Sequence, residues 1–206
     1  MKLTTMTQVS VDGVMQGNGG ASHEDRSNGF ERGGWAMGKG DDETRAFIKR
    51  TYQRAGAFLL GRRTYELFAG SWGTWTIGEA ADWEPVRQAL NTQPKYVVST
   101  TLTDPAWSDT TVLAEDLVAA IEDLKAKPGG ELQVHGSRTL TRWLLDNDLV
   151  DEMTLLTIPV IVGQGMRLFP DAGQDTALDL VESRVDSKGV TIQVYRPAGR
   201  PRYAGS

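Results

Sequence analysis

At 206 residues the chain is long enough for one domain with its own hydrophobic core, and it needs no disulfide or metal to hold that core together. Hydrophobic residues make up 39% and charged residues 24%, the composition of an ordinary soluble globule, and a net charge of −5 without a long Lys/Arg run excludes a general nucleic-acid binder. Cysteine is absent, which excludes disulfides, thiolate metal sites and thiol nucleophiles, and the two histidines, His23 and His135, are too few for a transition-metal site.

Met1-Lys2-Leu3-Thr4-Thr5 opens on a strand-like pattern rather than the apolar core of a signal peptide, and no apolar stretch approaches the roughly 20 residues of a membrane span. A cytoplasmic protein is expected. Thr4 to Val11 reads as a strand that meets a turn at Asp12-Gly13. The segment 16–40 that follows is crowded with glycine and polar residues and has no period. A loop of that length inside a compact domain is usually functional or disordered. Asp41-Asp42-Glu43-Thr44 then reads as a helix start with acids in its first turn, continued by Phe47, Ile48 and Tyr52 at helical spacing.

Ala57 to Leu60 is a strand, Tyr65-Glu66-Leu67-Phe68 lies on a helix, and Tyr96 to Ser99 is a further strand. Leu117 to Lys125 is a helix with Leu117, Ile121 and Leu124 on one face, broken by Pro128-Gly129-Gly130. Leu132 to His135 reads as a strand, Leu140 to Leu145 as a helix and Met153 to Val162 as a long apolar strand. Leu178 to Val185 and Val190 to Tyr195 form a hairpin around Ser187-Lys188-Gly189. Strand alternating with helix, then a closing hairpin, predicts an α/β fold in a single domain over residues 1–206: a mainly parallel central sheet flanked by helices, with an antiparallel C-terminal hairpin.

Two strand-to-helix junctions carry the chemistry. In Phe58-Leu59-Leu60-Gly61-Arg62-Arg63-Thr64-Tyr65-Glu66 a short apolar strand stops at a glycine and passes into a basic helix start, where free N–H groups and arginines suit a phosphate. Leu132-Gln133-Val134-His135-Gly136-Ser137-Arg138-Thr139-Leu140 repeats the design. Two such junctions imply a ligand with more than one phosphate, and a dinucleotide is the simplest candidate. The alternative is a pair of ordinary turns with capping residues. Gly163-Gln164-Gly165 is a turn rather than a dinucleotide fingerprint, since no third glycine and helix follow it.

Ser10-Val11-Asp12-Gly13, Gly29-Phe30-Glu31-Arg32-Gly33-Gly34-Trp35, Gly61 to Glu66, His135-Gly136-Ser137, Leu149-Val150-Asp151-Glu152 and Pro159 to Gly165 occur in an order and spacing that resemble the dihydrofolate-reductase-like superfamily. Within it the chain resembles the group related to the reductase domain of the riboflavin-biosynthesis deaminase-reductase, over nearly its whole length. The resemblance implies NADPH as cofactor, with Arg62 at the 2′-phosphate, Gly61, Arg63 and Thr64 at the diphosphate, and Ser99, Thr100 and Thr101 along the adenosine ribose. Gly136, Ser137, Arg138, Thr139 and Leu140 would bring backbone to the diphosphate, with His135 touching cofactor or substrate, or simply packing. It also implies a homodimer, with the late strands and the region of Trp72 and Trp75 as candidate surfaces.

On the substrate side the resemblance implies Ser10 and Asp12 as polar catalytic residues near the nicotinamide, Asp12 being equally suited to the turn. Glu43 aligns with the carboxylate of dihydrofolate reductase, although helix capping accounts for Asp41, Asp42 and Glu43 without catalysis. Leu156 occupies a substrate-side position where a pterin reductase has a hydroxyl, which departs from a folate enzyme. Trp35 either closes over a flat heterocycle or anchors the loop 16–40. The expected activity is hydride transfer to a small flat heterocycle or to a carbonyl or imine, as in 5-amino-6-(5-phosphoribosylamino)uracil reductase. A dihydrofolate or pterin reductase and a non-catalytic NADPH-binding module are the alternatives. The ribose phosphate of the uracil substrate would require basic residues, for which Arg26, Arg32 and Arg167 are candidates, the alternative being that each is a solvated surface charge.

Overall fold

The computed structural model describes residues 1–74, 81–169 and 171–205. They divide into two compact units, one of residues 1–5 and 46–151, the other of residues 6–45 and 152–206. The first strand, β1 (Leu3–Ser10), contributes its opening residues to unit one and the remainder to unit two.

Unit one alternates strand and helix: β2 (Ala55–Gly61), α3 (Arg62–Gly70), α4 (Glu84–Thr92), β3 (Lys95–Val98), β4 (Thr110–Leu113), α5 (Leu117–Ala126), β5 (Glu131–His135) and α6 (Arg138–Asp146). Its strands lie in the order β4-β3-β2-β5-β1, and β2 runs parallel to both β3 and β5, as β3 does to β4. The central strand β2 is apolar without alternation because both its faces are covered: Phe58, Leu59 and Leu60 are fully enclosed, as are Leu132 and Val134 on β5. Helix α6 turns Leu140, Thr141 and Leu144 inward. Lys95, also fully enclosed, donates from Nζ to the carbonyls of Leu90 (3.0 Å) and Gln93 (2.9 Å) at the end of α4 and lies over the Trp107 ring.

Unit two holds the short helix α1 (His23–Ser27), the first turn of α2 (Asp42–Gln53), and the strands β6 (Glu152–Ile158), β7 (Leu178–Val185) and β8 (Thr191–Pro197), in the order β1-β6-β8-β7. Strand β8 pairs antiparallel with both β6 and β7. The hairpin turn closes with Gly189 N–H donating to Asp186 O (3.1 Å) and Asp186 N–H to Val190 O (2.9 Å).

The expected α/β class, mainly parallel sheet and antiparallel C-terminal hairpin are all present. Three local expectations change. The strand expected to run to Val162 ends at Ile158, since Pro159 has no N–H to continue a ladder and Val160 N–H turns back to Ile158 O at 2.7 Å. The loop 16–40 contains α1, nucleated by a capping box between Ser22 and Asp25. Strand β4 and helix α4 were not foreseen: β4 is four residues long and only partly buried, whereas α4 carries Pro85 in its first turn and buries Val86, Ala89 and Leu90 at helical spacing. Trp75 lies outside the described residues. Trp72 is partly buried, and its carbonyl accepts from Asn91 Nδ2 at 2.9 Å. Among the described residues no helix is long and apolar enough to cross a membrane.

Candidate active site

In unit one, Gly61 pairs with Val98 and Phe58 with Gln133, so the C-terminal ends of β3, β2 and β5 lie side by side. That edge of a parallel sheet is where open α/β folds take their ligands. It gathers Gly61, Arg62, Arg63 and Thr64 after β2, Ser99, Thr100 and Thr101 after β3, and His135 to Leu140 after β5.

Helix α3 begins at Gly61, and no side chain caps it. The glycine has ordinary extended dihedrals, and an added Cβ would meet Ser137 Oγ at 3.7 Å and Leu140 Cβ at 4.0 Å, both ordinary contacts. The chain's own packing therefore does not demand glycine there. The first-turn N–H groups of α3 carry the positive end of the helix dipole. Arg62 stands half-exposed on that turn with Nη1 3.7 Å from Glu66 Oε1, and Arg63 and Thr64 are partly buried beside it. Helix α6 likewise has no side-chain cap. Its N-cap residue Ser137 is left-handed (φ 48°), directly after Gly136 (φ 61°), and its Oγ accepts from Gly61 N–H at 3.1 Å. Arg138 Nε is buried and has no hydrogen-bond partner among the described residues. Two uncapped helix starts and three arginines, one of them Arg138 with its buried Nε, form a donor set that fits a ligand with linked phosphates.

The hydroxyl of Ser99 closes its own turn, accepting from Thr101 N–H (3.1 Å) and Leu102 N–H (3.0 Å), while Thr100 and Thr101 are exposed. His135 is packed. Its ring stacks on Tyr52 with centroids 4.0 Å apart, and Phe58 lies at 5.8 Å. The Gln133 amide nitrogen donates to Thr51 O (2.6 Å) and Glu131 Oε2 (2.7 Å), so its oxygen faces His135 Nε2 at 3.0 Å and that nitrogen carries the hydrogen. Nδ1 is left bare and buried. Desolvation holds the imidazole pKa down at about 3, so the ring is neutral.

In unit two the structure joins Ser10 and Asp12. Ser10 Oγ donates to Asp12 Oδ1 (2.6 Å), and the carboxylate also accepts from Val162 N–H (3.0 Å) and Gly163 N–H (2.8 Å). The Ser10 hydrogen bond, followed by that from Val162, lowers the Asp12 pKa to about 2. Asp12 is thus ionised and clamps its turn to the loop 162–167, with Arg167 Nε donating to its backbone carbonyl at 2.8 Å. Glu43 is about half exposed, 3.5 Å from Arg184 Nη1, and no hydrogen bond or ion pair joins it to Ser10 or Asp12 among the described residues. Leu156 is fully enclosed, so a substrate reaches it only if the core opens.

Trp35 is 9% exposed, packs with Val14, Phe30, Ile158, Val162 and Val190, and donates from Nε1 to Gln16 O at 2.8 Å. The loop around it is pinned. Gln16 Nε2 donates to Asp25 Oδ1 (2.8 Å), Gln164 Nε2 to Gly29 O (2.8 Å), and Arg32 to Val162 O. The Phe30 ring fits between two glycines: an added Cβ would lie 2.5 Å from it at Gly17 and 2.6 Å at Gly165. Arg26 donates to Ala21 O.

The capping expected of the acids at the start of α2 falls to Asp41, and what sequence reasoning missed is its partner, Asp186. Asp41 Oδ1 accepts from Glu43 N–H (2.9 Å) and Thr44 N–H (3.1 Å), and its Oδ2 accepts from Ser187 N–H and Oγ–H. Asp186 is buried and reciprocates, Oδ2 accepting from Asp41 N–H (2.9 Å) and Thr44 Oγ–H (2.8 Å), Oδ1 from Lys188 N–H and Val190 N–H. Burial alone would raise the Asp186 pKa, but these donors together bring it below the ordinary carboxylate value. The aspartate heading the turn Asp186-Ser187-Lys188-Gly189 was the available signal. No cluster of metal-ligating side chains occurs among the described residues.

Among known proteins, the chain is 30% identical to the uncharacterized protein YyaP of Bacillus subtilis (strain 168) over 139 residues, 66% of this chain and 71% of that one. In structure it is similar to a Shewanella sp. PV-4 protein ascribed to riboflavin biosynthesis (TM-score 0.67, 21% identity, 96% of this chain and 99% of that one). It is also similar to the diaminohydroxyphosphoribosylaminopyrimidine deaminase/5-amino-6-(5-phosphoribosylamino)uracil reductase of Thermotoga maritima (TM-score 0.62, 16% identity, 96% of this chain and 56% of that one). At these identities the two structures carry the fold alone. Over residues 1–192 the sequence matches the family model of the RibD C-terminal domain, and the chain belongs to that family.

Proposed function

We propose that the protein is an NADPH-dependent reductase that delivers hydride to a small flat heterocycle, or to a carbonyl or imine, resembling 5-amino-6-(5-phosphoribosylamino)uracil reductase. The observation that carries this reading is the pair of uncapped helix starts at Gly61 and Ser137, flanked by Arg62, Arg63 and Arg138 on one edge of a parallel sheet. A reduced nicotinamide, when bound, supplies the hydride that goes to the electrophilic carbon of a C=N or C=O bond, and the heteroatom takes a proton. Arg62 holds the 2′-phosphate, and the first turns of α3 and α6 hold the diphosphate.

The proton comes from water. Asp12 is ionised near neutral pH, Ser10 commits its hydroxyl hydrogen to Asp12, and Glu43 is paired with Arg184 at the surface. Asp12 and Ser10 then act by shaping and charging the substrate side. The enclosure of Leu156 and the surface position of Glu43 weigh against a dihydrofolate or pterin reductase. Internal satisfaction of Asp12 and Ser10 favours one second reading, an NADPH-binding module without turnover. A homodimer completes the proposal, with the exposed strand β7 as its surface.

Titration with NADPH and NADH, followed by tryptophan quenching, tests the proposal. Tighter binding of NADPH is expected, and consumption of NADPH at 340 nm with a pyrimidine, pterin or carbonyl substrate then separates enzyme from module. No binding of either dinucleotide sinks both readings.

A further inference from the structure

Ser137 occupies the N-cap position of α6, where a serine ordinarily turns its hydroxyl onto the first-turn N–H groups of its own helix. Here it does not. The residue is held left-handed at φ 48°, ψ 53°, a conformation that costs a non-glycine residue energy, and it makes no cap hydrogen bond. Its Oγ instead crosses to the other junction and accepts from Gly61 N–H at 3.1 Å, the residue that heads α3. Ser137 is only 8% exposed, so little water competes for that bond. The hydroxyl that would have closed one helix start ties the two starts together, and neither α3 nor α6 begins with a side-chain cap.

We infer that Ser137 is a positioning residue for a diphosphate-containing ligand, its hydroxyl fixing the α3 and α6 N-termini at the separation that two linked phosphates need. The inference rests on the dinucleotide reading above. Gly61 N–H, taken by Ser137, contributes no contact to the ligand, and the binding donors are the N–H groups that follow it. Uncapped ends alone would not single out this pair, because α5 is uncapped too. The cross-tie between α3 and α6 does.

The test is calorimetric titration of the full chain and of Ser137→Gly and Ser137→Ala with NADPH, NADH and adenosine 2′,5′-bisphosphate, which keeps the 2′-phosphate but has no diphosphate. Ser137→Gly relieves the left-handed strain and removes the hydroxyl together with its Cβ, whereas Ser137→Ala removes the hydroxyl alone. It is expected to weaken NADPH and NADH alike by about five- to tenfold, the loss of one buried hydrogen bond, and to leave the bisphosphate within about twofold. Ser137→Ala is expected to show the same pattern with a lower melting temperature, since alanine keeps the strain without the bond. Unchanged dinucleotide affinity in Ser137→Gly, or an equal loss for the bisphosphate, overturns the inference and leaves the cofactor reading standing. A wild-type chain that binds neither dinucleotide overturns both.

Discussion

The two units treat helix starts in opposite ways. In unit two, α1 carries a reciprocal box between Ser22 and Asp25, and α2 begins on Asp41, itself held by Asp186. In unit one, α3, α4, α5 and α6 all begin without a side-chain cap. Residue types that cap well stand there too: Asp116 heads α5 and Ser137 heads α6, yet each sits left-handed and makes no cap hydrogen bond. Capping contributes about 1 kcal/mol per helix, a stabilisation that unit two draws from its own polar side chains and that unit one forgoes. If unit one binds a dinucleotide as proposed, stability and ligand binding draw on the same kind of helix-start N–H group, and the units differ in which use each serves.

The largest expected effect comes from opening what unit two has closed. Asp186→Ala strands the donors of Asp41, Thr44, Lys188 and Val190, and should lower the stability measured by urea denaturation by about 3 kcal/mol. A loss under about 1 kcal/mol would mean that water replaces the carboxylate and that unit two is not closed in the sense argued.

Next is Arg62→Ala, which attacks the open side. It should weaken NADPH by about ten- to a hundredfold and NADH by much less, with stability nearly unchanged because the Arg62–Glu66 pair is exposed. Equal loss for both dinucleotides would remove Arg62 from the 2′-phosphate.

The packing beneath the open edge has a pH signature of comparable size. His135 titrates near 6.5 when unfolded and at about 3 when folded, so the unfolded chain takes the proton first. The stability it contributes is complete above pH 6.5 and is lost as the pH falls toward 3. Between pH 7 and pH 5 the loss should be roughly 2 kcal/mol, and His135→Phe should flatten it, as denaturation at the two pH values will show. A slope that survives the substitution assigns the effect elsewhere.

The smallest effect sharpens the comparison most. Gly61→Ser adds a side chain that can cap α3 without a clash, so it should stabilise the fold by a few tenths of a kcal/mol while weakening the dinucleotide. A variant that binds better would break the proposed trade.

Much of this was legible in the sequence. The apolar run Phe58-Leu59-Leu60 ending at Gly61, and Leu132 to His135 ending at Gly136, announced buried strands feeding helices, because a strand covered on both faces has no polar alternation. The side chains of the other unit were harder to read. That Trp35 is locked by Gln16, that Asp12 accepts from Val162 and Gly163, and that Asp41 meets Asp186 depend on partners distant in the chain, to which local patterns are blind. Strand β4, short and half-exposed, carried too few residues to show a period.

The seating of Phe30 between Gly17 and Gly165 bears on how this family can drift. Both glycines also have positive φ, so a side chain at either is opposed twice, by the ring and by its own backbone. A smaller residue at 30 removes only the first objection, and an alanine arriving first at 17 or 165 meets both. Inheritance at the three positions is therefore ordered: change should begin at 30, and lineages that keep an aromatic there should keep both glycines.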